Sequence, residues 1–182
     1  MIEQEIKLRF DSPEAARIAV ITAGGRLTSS RRLIDDRLFD TPQGHLRAGS
    51  CALRVRRDGT LTFLTFKGAP TPGPFKTREE IETTAGDPAI IEAILVSLGF
   101  TAKWRSQKFR EEYAIDAAKI AIDETPIGAF VEIEGTDADI TRIAAALGRT
   151  PADYVLSSYA RLFHDWRTSR GELPGDMLME TR

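Results

Sequence analysis

The sequence predicts an α+β protein built as a closed antiparallel β-barrel, with a charged lumen and amphipathic helices packed on its outside. Two observations lead there. Seven predicted strands carry charge at alternate positions, mostly of both signs, and alternate side chains of a strand point to one face. The opposite faces are mostly Ile, Leu, Val and Phe, and each predicted helix has one apolar stripe suited to covering them. One charged strand face is the ordinary solvated side of an antiparallel sheet. Seven such faces, with helices available for the aliphatic side, are accommodated by a barrel whose charges point inward.

The first strand, MIEQEIKLRF, sets Glu3, Glu5 and Lys7 against Ile2, Ile6 and Leu8. Asp11-Ser12-Pro13-Glu14 then supplies a cap, an early proline and an early acid for a helix that Gly24-Gly25 ends. Residues 31–40 are expected to be extended up to a turn at Thr41-Pro42-Gln43-Gly44. Asp58-Gly59, between two alternating runs, marks a hairpin with Arg54 and Arg56 on one strand and Phe63, Thr65 and Lys67 on its partner. Residues 68–76 hold three prolines and two glycines and read as a loop over the site.

In the strand that follows, Arg78, Glu80 and Glu82 share a face. A helix opened by Asp87-Pro88 carries Ile90, Ile91, Ile94, Leu95 and Leu98, expected to be core, and ends at Gly99. Three further strands place Lys108, Arg110 and Glu112; Lys119 and Asp123; and Glu132 and Glu134 on their charged faces. A helix over residues 137–147 closes at Gly148, and another is expected around residues 159–166. Residues 1–166 read as one domain and 167–182 as a C-terminal tail, flexible or committed to a partner.

Composition narrows the function. The chain has 182 residues, 42% of them hydrophobic and 29% charged, and a formal net charge of -2, which argues against general nucleic-acid binding. Any cationic site is therefore local. Cys51 is the only cysteine, so an internal disulfide and a cysteine zinc site are excluded and a small buried thiol is expected. No window reaches a membrane span, no secretory leader stands at the N-terminus, and a cytoplasmic location is expected. His45 and His164 lack a metal-ligand spacing, and Trp104 and Trp166 are expected to pack rather than stack on a base.

A lumen with charges of both signs is costly unless the charges are paired or liganded. About six cations and as many carboxylates are not expected to pair off neatly. The more economical contents are a polyanion and a divalent metal: Arg and Lys for phosphate oxygens, carboxylates for Mg²⁺ or Mn²⁺.

The order Glu3-x-Glu5-x-Lys7, Asp36-x-x-Phe39-Asp40-Thr41, Leu53-Arg54-Val55-Arg56, Thr65-Phe66-Lys67, Arg78-x-Glu80-x-Glu82, Lys108-x-Arg110, Asp123 and Glu132-x-Glu134 resembles the CYTH proteins, the triphosphate tunnel metalloenzymes, over about residues 1–163. The resemblance implies eight antiparallel strands and metal-dependent chemistry on a triphosphate. It implies Lys7, Arg54, Arg56, Lys67, Lys108 and Arg110 as phosphate binders. Glu3, Glu5, Asp123, Glu132 and Glu134 would hold one or two ions of Mg²⁺ or Mn²⁺ or orient water, and Glu5, Lys7 and Glu134 would be catalytic. Many relatives have a substrate-facing lysine near the C-terminal segment; here SSYARLF offers Ser157, Ser158 and Arg161. The expected partner is a triphosphate-containing small molecule, with no nucleic acid and no membrane, and the protein is expected to be a monomer or homodimer. The leading expectation is a triphosphatase; a class IV-type adenylate cyclase and a non-catalytic polyphosphate- or nucleotide-binding module are the alternatives.

Overall fold

The computed structural model describes residues 1–180. Eight strands, β1 (Ile2–Phe10), β2 (Arg26–Asp40), β3 (Ala52–Asp58), β4 (Leu61–Lys67), β5 (Lys76–Ala85), β6 (Thr101–Ile115), β7 (Ala118–Thr125) and β8 (Gly128–Glu134), close in the order β1-β5-β4-β3-β2-β6-β7-β8. Every pairing is antiparallel, and β1 closes the barrel on β8 with Glu5 opposite Glu134 and Lys7 opposite Glu132. The helices are α1 (Pro13–Thr22), α2 (His45–Ala48), α3 (Pro88–Ser97), α4 (Asp137–Ala146) and α5 (Tyr159–Ser169).

The aliphatic parity of β1, β7 and β8 faces outward. Ile6, Leu8, Ile120, Ile122, Val131 and Ile133 pack against Val20 of α1 and Ile140 and Ile143 of α4, each at most 2% exposed. That burial fixes the register, because a one-residue slip would drive the charged row into this layer. The Ser12 hydroxyl caps α1 by accepting from the Ala15 N–H at 3.1 Å. Strand β2 begins at Arg26, five residues before the extended segment expected from sequence. Gly25 permits the tight exit: a Cβ there would lie 2.6 Å from Val20 Cγ1 and 2.7 Å from the Val20 carbonyl oxygen.

The helix α3 differs from expectation. Only Leu95 is buried, packing with Phe39 and Val55 while Ile91 assists, whereas Ile90, Ile94 and Leu98 are 50–70% exposed. This nearly all-apolar helix rests on the barrel along one line, over β3, and one line of contact covers only one face. Cys51 is half-buried rather than enclosed. Asp40 organises the short α2: its carboxylate accepts from the backbone N–H groups of Thr41, Leu46 and Arg47 at 2.7–2.9 Å.

Helix α5 and the chain after it pack against the barrel and line its cavity. Phe130, Phe163 and Met177 form a buried cluster there, joined by Trp104 and Tyr159. Helix α5 continues to Ser169, beyond the expected end at Trp166. Met177, 1% exposed, lies along the part of β6 that β7 does not reach: its N–H donates to the Arg105 carbonyl at 3.0 Å, and its carbonyl accepts from Gln107 N–H at 2.7 Å.

Candidate active site

The charged parity of the strands lines a cavity of about 2270 Å³. Eight buried or partly buried cations of the strands reach it, Lys7, Arg54, Arg56, Lys67, Lys76, Arg78, Lys108 and Arg110, together with the carboxylates Glu3, Glu5, Asp36, Glu80, Glu82, Glu132 and Glu134. Ten of the eleven residues singled out from sequence as phosphate binders or metal ligands lie in that lumen or directly beneath it. Glu134 stands at its edge, 37% exposed at the side chain and 3.2 Å from the more exposed Lys119.

The charges pair more completely than their number suggests, which corrects the expectation that they would not. Lys7 lies 3.1 Å from Glu5 and 3.3 Å from Glu132; Lys76 donates to Glu5 at 2.6 Å. Lys67 bridges Glu3 and Glu80 at 2.7 Å each, and Arg78 reaches Glu3 at 3.1 Å. Arg56 binds Asp36 through two bonds of 2.7 and 2.8 Å. Strand register accounts for it: Glu3 stands opposite Arg78, Glu5 opposite Lys76, Lys7 opposite Glu132, Lys67 opposite Glu80 and Asp36 opposite Arg56 on neighbouring strands, and directly opposed residues share a face.

Asp123 lies under the lumen rather than in it. Its side chain has no exposure, and its oxygens accept from Lys108 at 2.6 Å, twice from Arg110 at 2.7 Å, and from the Tyr159 hydroxyl at 2.8 Å. Arg110 also meets Glu132. With four donors on two oxygens, Asp123 is placed to hold Lys108 and Arg110 in position.

Arg54 is the exception to full pairing. Its contacts to Glu82, Asp36 and Glu80 are 3.4, 3.8 and 3.9 Å, and its buried Nε has no hydrogen-bond partner among the described residues. A buried donor left unpaired is expensive, and a lumen anion would satisfy it.

Burial and neighbours set the protonation states. Burial pushes the Glu5 carboxyl up, but Lys7 and Lys76 outweigh it and hold the group well below the usual range. Glu132, Asp36 and Asp123 are likewise held low against burial, by Lys108 and Lys7, by Arg56 and Arg54, and by Arg110 and Lys108 respectively. Burial pushes Glu80 up. Burial and the nearby Lys7 push Lys76 down to about 8, and burial and Arg110 push Lys108 down to about 8. Lys7 is raised, because Glu5 and Glu132 overcome its burial. Glu5, Glu132, Asp36 and Asp123 are therefore ionised at neutral pH, which suits binding of cations more than proton abstraction.

Glu3, Glu5, Glu132 and Glu134 lie on the adjacent β1 and β8 and offer only oxygen, the donor chemistry that Mg²⁺ and Mn²⁺ prefer. No group of three metal-ligating side chains stands assembled among the described residues, because each inner carboxylate is drawn onto a lysine or arginine. A phosphate chain taking over those cations would release the carboxylates for an ion.

Three lumen residues escaped the site reading. Lys76 was placed in the loop over 68–76, yet it opens β5 and is buried; its shared parity with Arg78, Glu80 and Glu82 was the available signal. Asp36 stood in the motif order but received no role, because its row on β2 also contains Ile34, which is apolar. Tyr159 begins a helix, where strand periodicity carries no information.

A family model described as CYTH domain matches residues 1–150. A Methanocaldococcus jannaschii protein whose name proposes it as an adenylate cyclase is 30% identical over 141 residues, 77% of this chain and 80% of that protein. A solved structure from Pyrococcus horikoshii is similar with a TM-score of 0.76 at 26% identity, covering 91% of this chain and 99% of that one. A Hippeastrum structure, described as a proposed adenylyl cyclase with a dominant triphosphatase activity, has a TM-score of 0.63 at 20% identity over 94% of this chain and 97% of its own.

Proposed function

This chain belongs to the CYTH family, and we propose that it is a divalent-metal-dependent triphosphatase acting on a small-molecule triphosphate held in the barrel lumen. Family members are triphosphatases or adenylate cyclases and are generally dependent on divalent metal. The observation that carries the proposal is the convergence of eight cations on one lumen, with Arg54 incompletely satisfied, beside a wall of ionised carboxylates.

Arg54, Arg56, Lys67, Lys108 and Arg110 bind phosphate oxygens, the arginines in bidentate fashion, with Lys7, Lys76 and Arg78 alongside. Glu3, Glu5, Glu132 and Glu134 hold the ion, while Asp123 keeps Lys108 and Arg110 in place. When bound, Mg²⁺ or Mn²⁺ supplies Lewis-acid neutralisation of phosphate-oxygen charge. The cations, fixed before substrate arrives, stabilise the charge that develops on the leaving phosphate. Glu134, the least engaged of the β1 and β8 carboxylates and opposite Glu5, takes the proton of the attacking water.

Phosphate release from tripolyphosphate, ATP and thiamine triphosphate with Mg²⁺ or Mn²⁺ tests this, against Glu5→Gln and Arg56→Ala. Folded protein that releases no phosphate from any of the three rules it out. The name of the Methanocaldococcus relative supports a second reading, cyclisation of ATP. Chromatography separates the two: cyclic AMP with pyrophosphate supports the cyclase, ADP with phosphate the hydrolase.

A further inference from the structure

Two lumen lysines share a contact that the phosphate-binding pattern does not explain. Tyr159, the first residue of α5, is half-buried against the cavity, and its ring is set edge-on against Phe130 at 5.4 Å between centroids. Lys7 Nζ lies 5.2 Å and Lys108 Nζ 4.7 Å from the centre of that ring, within the range of cation–π attraction. The ring's hydroxyl is committed to Asp123, the carboxylate that also holds Lys108.

The remaining partners of these ammonium groups are carboxylates: Glu5 and Glu132 for Lys7, Asp123 for Lys108. Each carboxylate contact consumes N–H donors, and a phosphate chain must compete for the same donors. A ring face differs, since it attracts the charge as a whole and leaves N–H groups free to point elsewhere. When an anion takes Lys7 away from Glu5 and Glu132, the ring contact persists.

We infer that Tyr159 is a positioning residue which holds Lys7 and Lys108 at the lumen floor while their N–H donors are handed from carboxylates to phosphate. The inference rests on the reading of the lumen as a phosphate site. It assigns the C-terminal segment a role exercised through β1 and β6.

The test measures tripolyphosphate affinity by calorimetry, with and without Mg²⁺. Tyr159→Phe keeps the ring and is expected to stay within about threefold of the parent Kd, whereas Tyr159→Leu, with no ring, weakens binding roughly tenfold or more. Because a leucine can also disturb the floor, a second series replaces residue 159 by phenylalanine bearing increasing numbers of fluorine atoms, which drains the negative ring face at nearly constant shape. Kd rising stepwise with fluorination, at unchanged urea midpoint, supports the inference. Parent protein that binds tripolyphosphate, with a Kd indifferent to fluorination, overturns the inference alone. Folded parent protein that binds no tripolyphosphate overturns the phosphate-site reading and the inference with it.

Discussion

Asp123→Asn isolates the most enclosed charge in the protein. The substitution keeps side-chain shape and one acceptor, but removes the negative charge that Lys108, Arg110 and the Tyr159 hydroxyl surround at 2.6–2.8 Å, with no solvent exposure. Breaking a buried ion pair from one side costs about 3–5 kcal/mol. Lys108 has a way out: its pKa is already pushed down to about 8, so shedding its proton at pH 7 costs at most about 1.4 kcal/mol. Arg110 has none, because a guanidinium does not deprotonate, although Glu132 remains beside it. The expected loss is therefore about 3 kcal/mol, the lower end of the range for an unpaired buried charge. Urea unfolding followed by circular dichroism at pH 7 measures it. Lys119→Ala is the control: its bridge to Glu134 is 75% exposed on the lysine side, and a change within about 0.5 kcal/mol is expected. If Asp123→Asn unfolds within about 1 kcal/mol of the parent at an unchanged m-value, the argument that this carboxylate neutralises the floor is wrong.

Arg54→Met should leave stability unchanged or raise it by about 1 kcal/mol, since this buried cation is poorly paired, yet weaken tripolyphosphate binding about tenfold or more; a clear loss of stability would contradict the pairing described. Lys76 and Lys108 have folded pKa values pushed down to about 8 from 10.5, so between pH 8 and 10 the unfolded chain holds protons that the folded one has released. Stability should accordingly rise with pH across that window, by up to about 1.4 kcal/mol per pH unit for each lysine, and a melting temperature that is flat or falling from pH 8 to 9.5 would count against it. Leu95→Ala should cost about 2–4 kcal/mol and Ile94→Ala within about 0.5 kcal/mol in the same urea assay, because only the first side chain is buried against the barrel.

Much of the barrel was legible because strand parity is a local property. Glu3, Glu5 and Lys7 alternate with residues that include the fully buried Ile6 and Leu8, and any pairing that buries the aliphatic row turns the charged row the other way. The Asp58-Gly59 hairpin was equally local, with β3 and β4 pairing in register from Ala52 opposite Lys67 to Asp58 opposite Leu61. The apolar residues of α3 misled because hydrophobicity reports what a residue tolerates, while exposure depends on how much surface its neighbours present. Lys76 was lost to the proline- and glycine-rich segment before it, since the start of a strand is set by its partner, here Glu5 opposite on β1.

Residue type and alternation by themselves determined that the charged residues of each strand would share one face, and hence the expectation of a polyanion and a hard metal between them. Only the tertiary structure decided which charge meets which: that Asp123 is spent on Lys108 and Arg110, that Arg54 is left short of partners, and that Tyr159 arrives under two lysines from a helix about 50 and 150 residues away in sequence. Periodicity assigns a side chain to a face. Its partners depend on the stagger of eight strands around a closed barrel and on the helix that packs against them, and those distances are settled by packing across the whole chain.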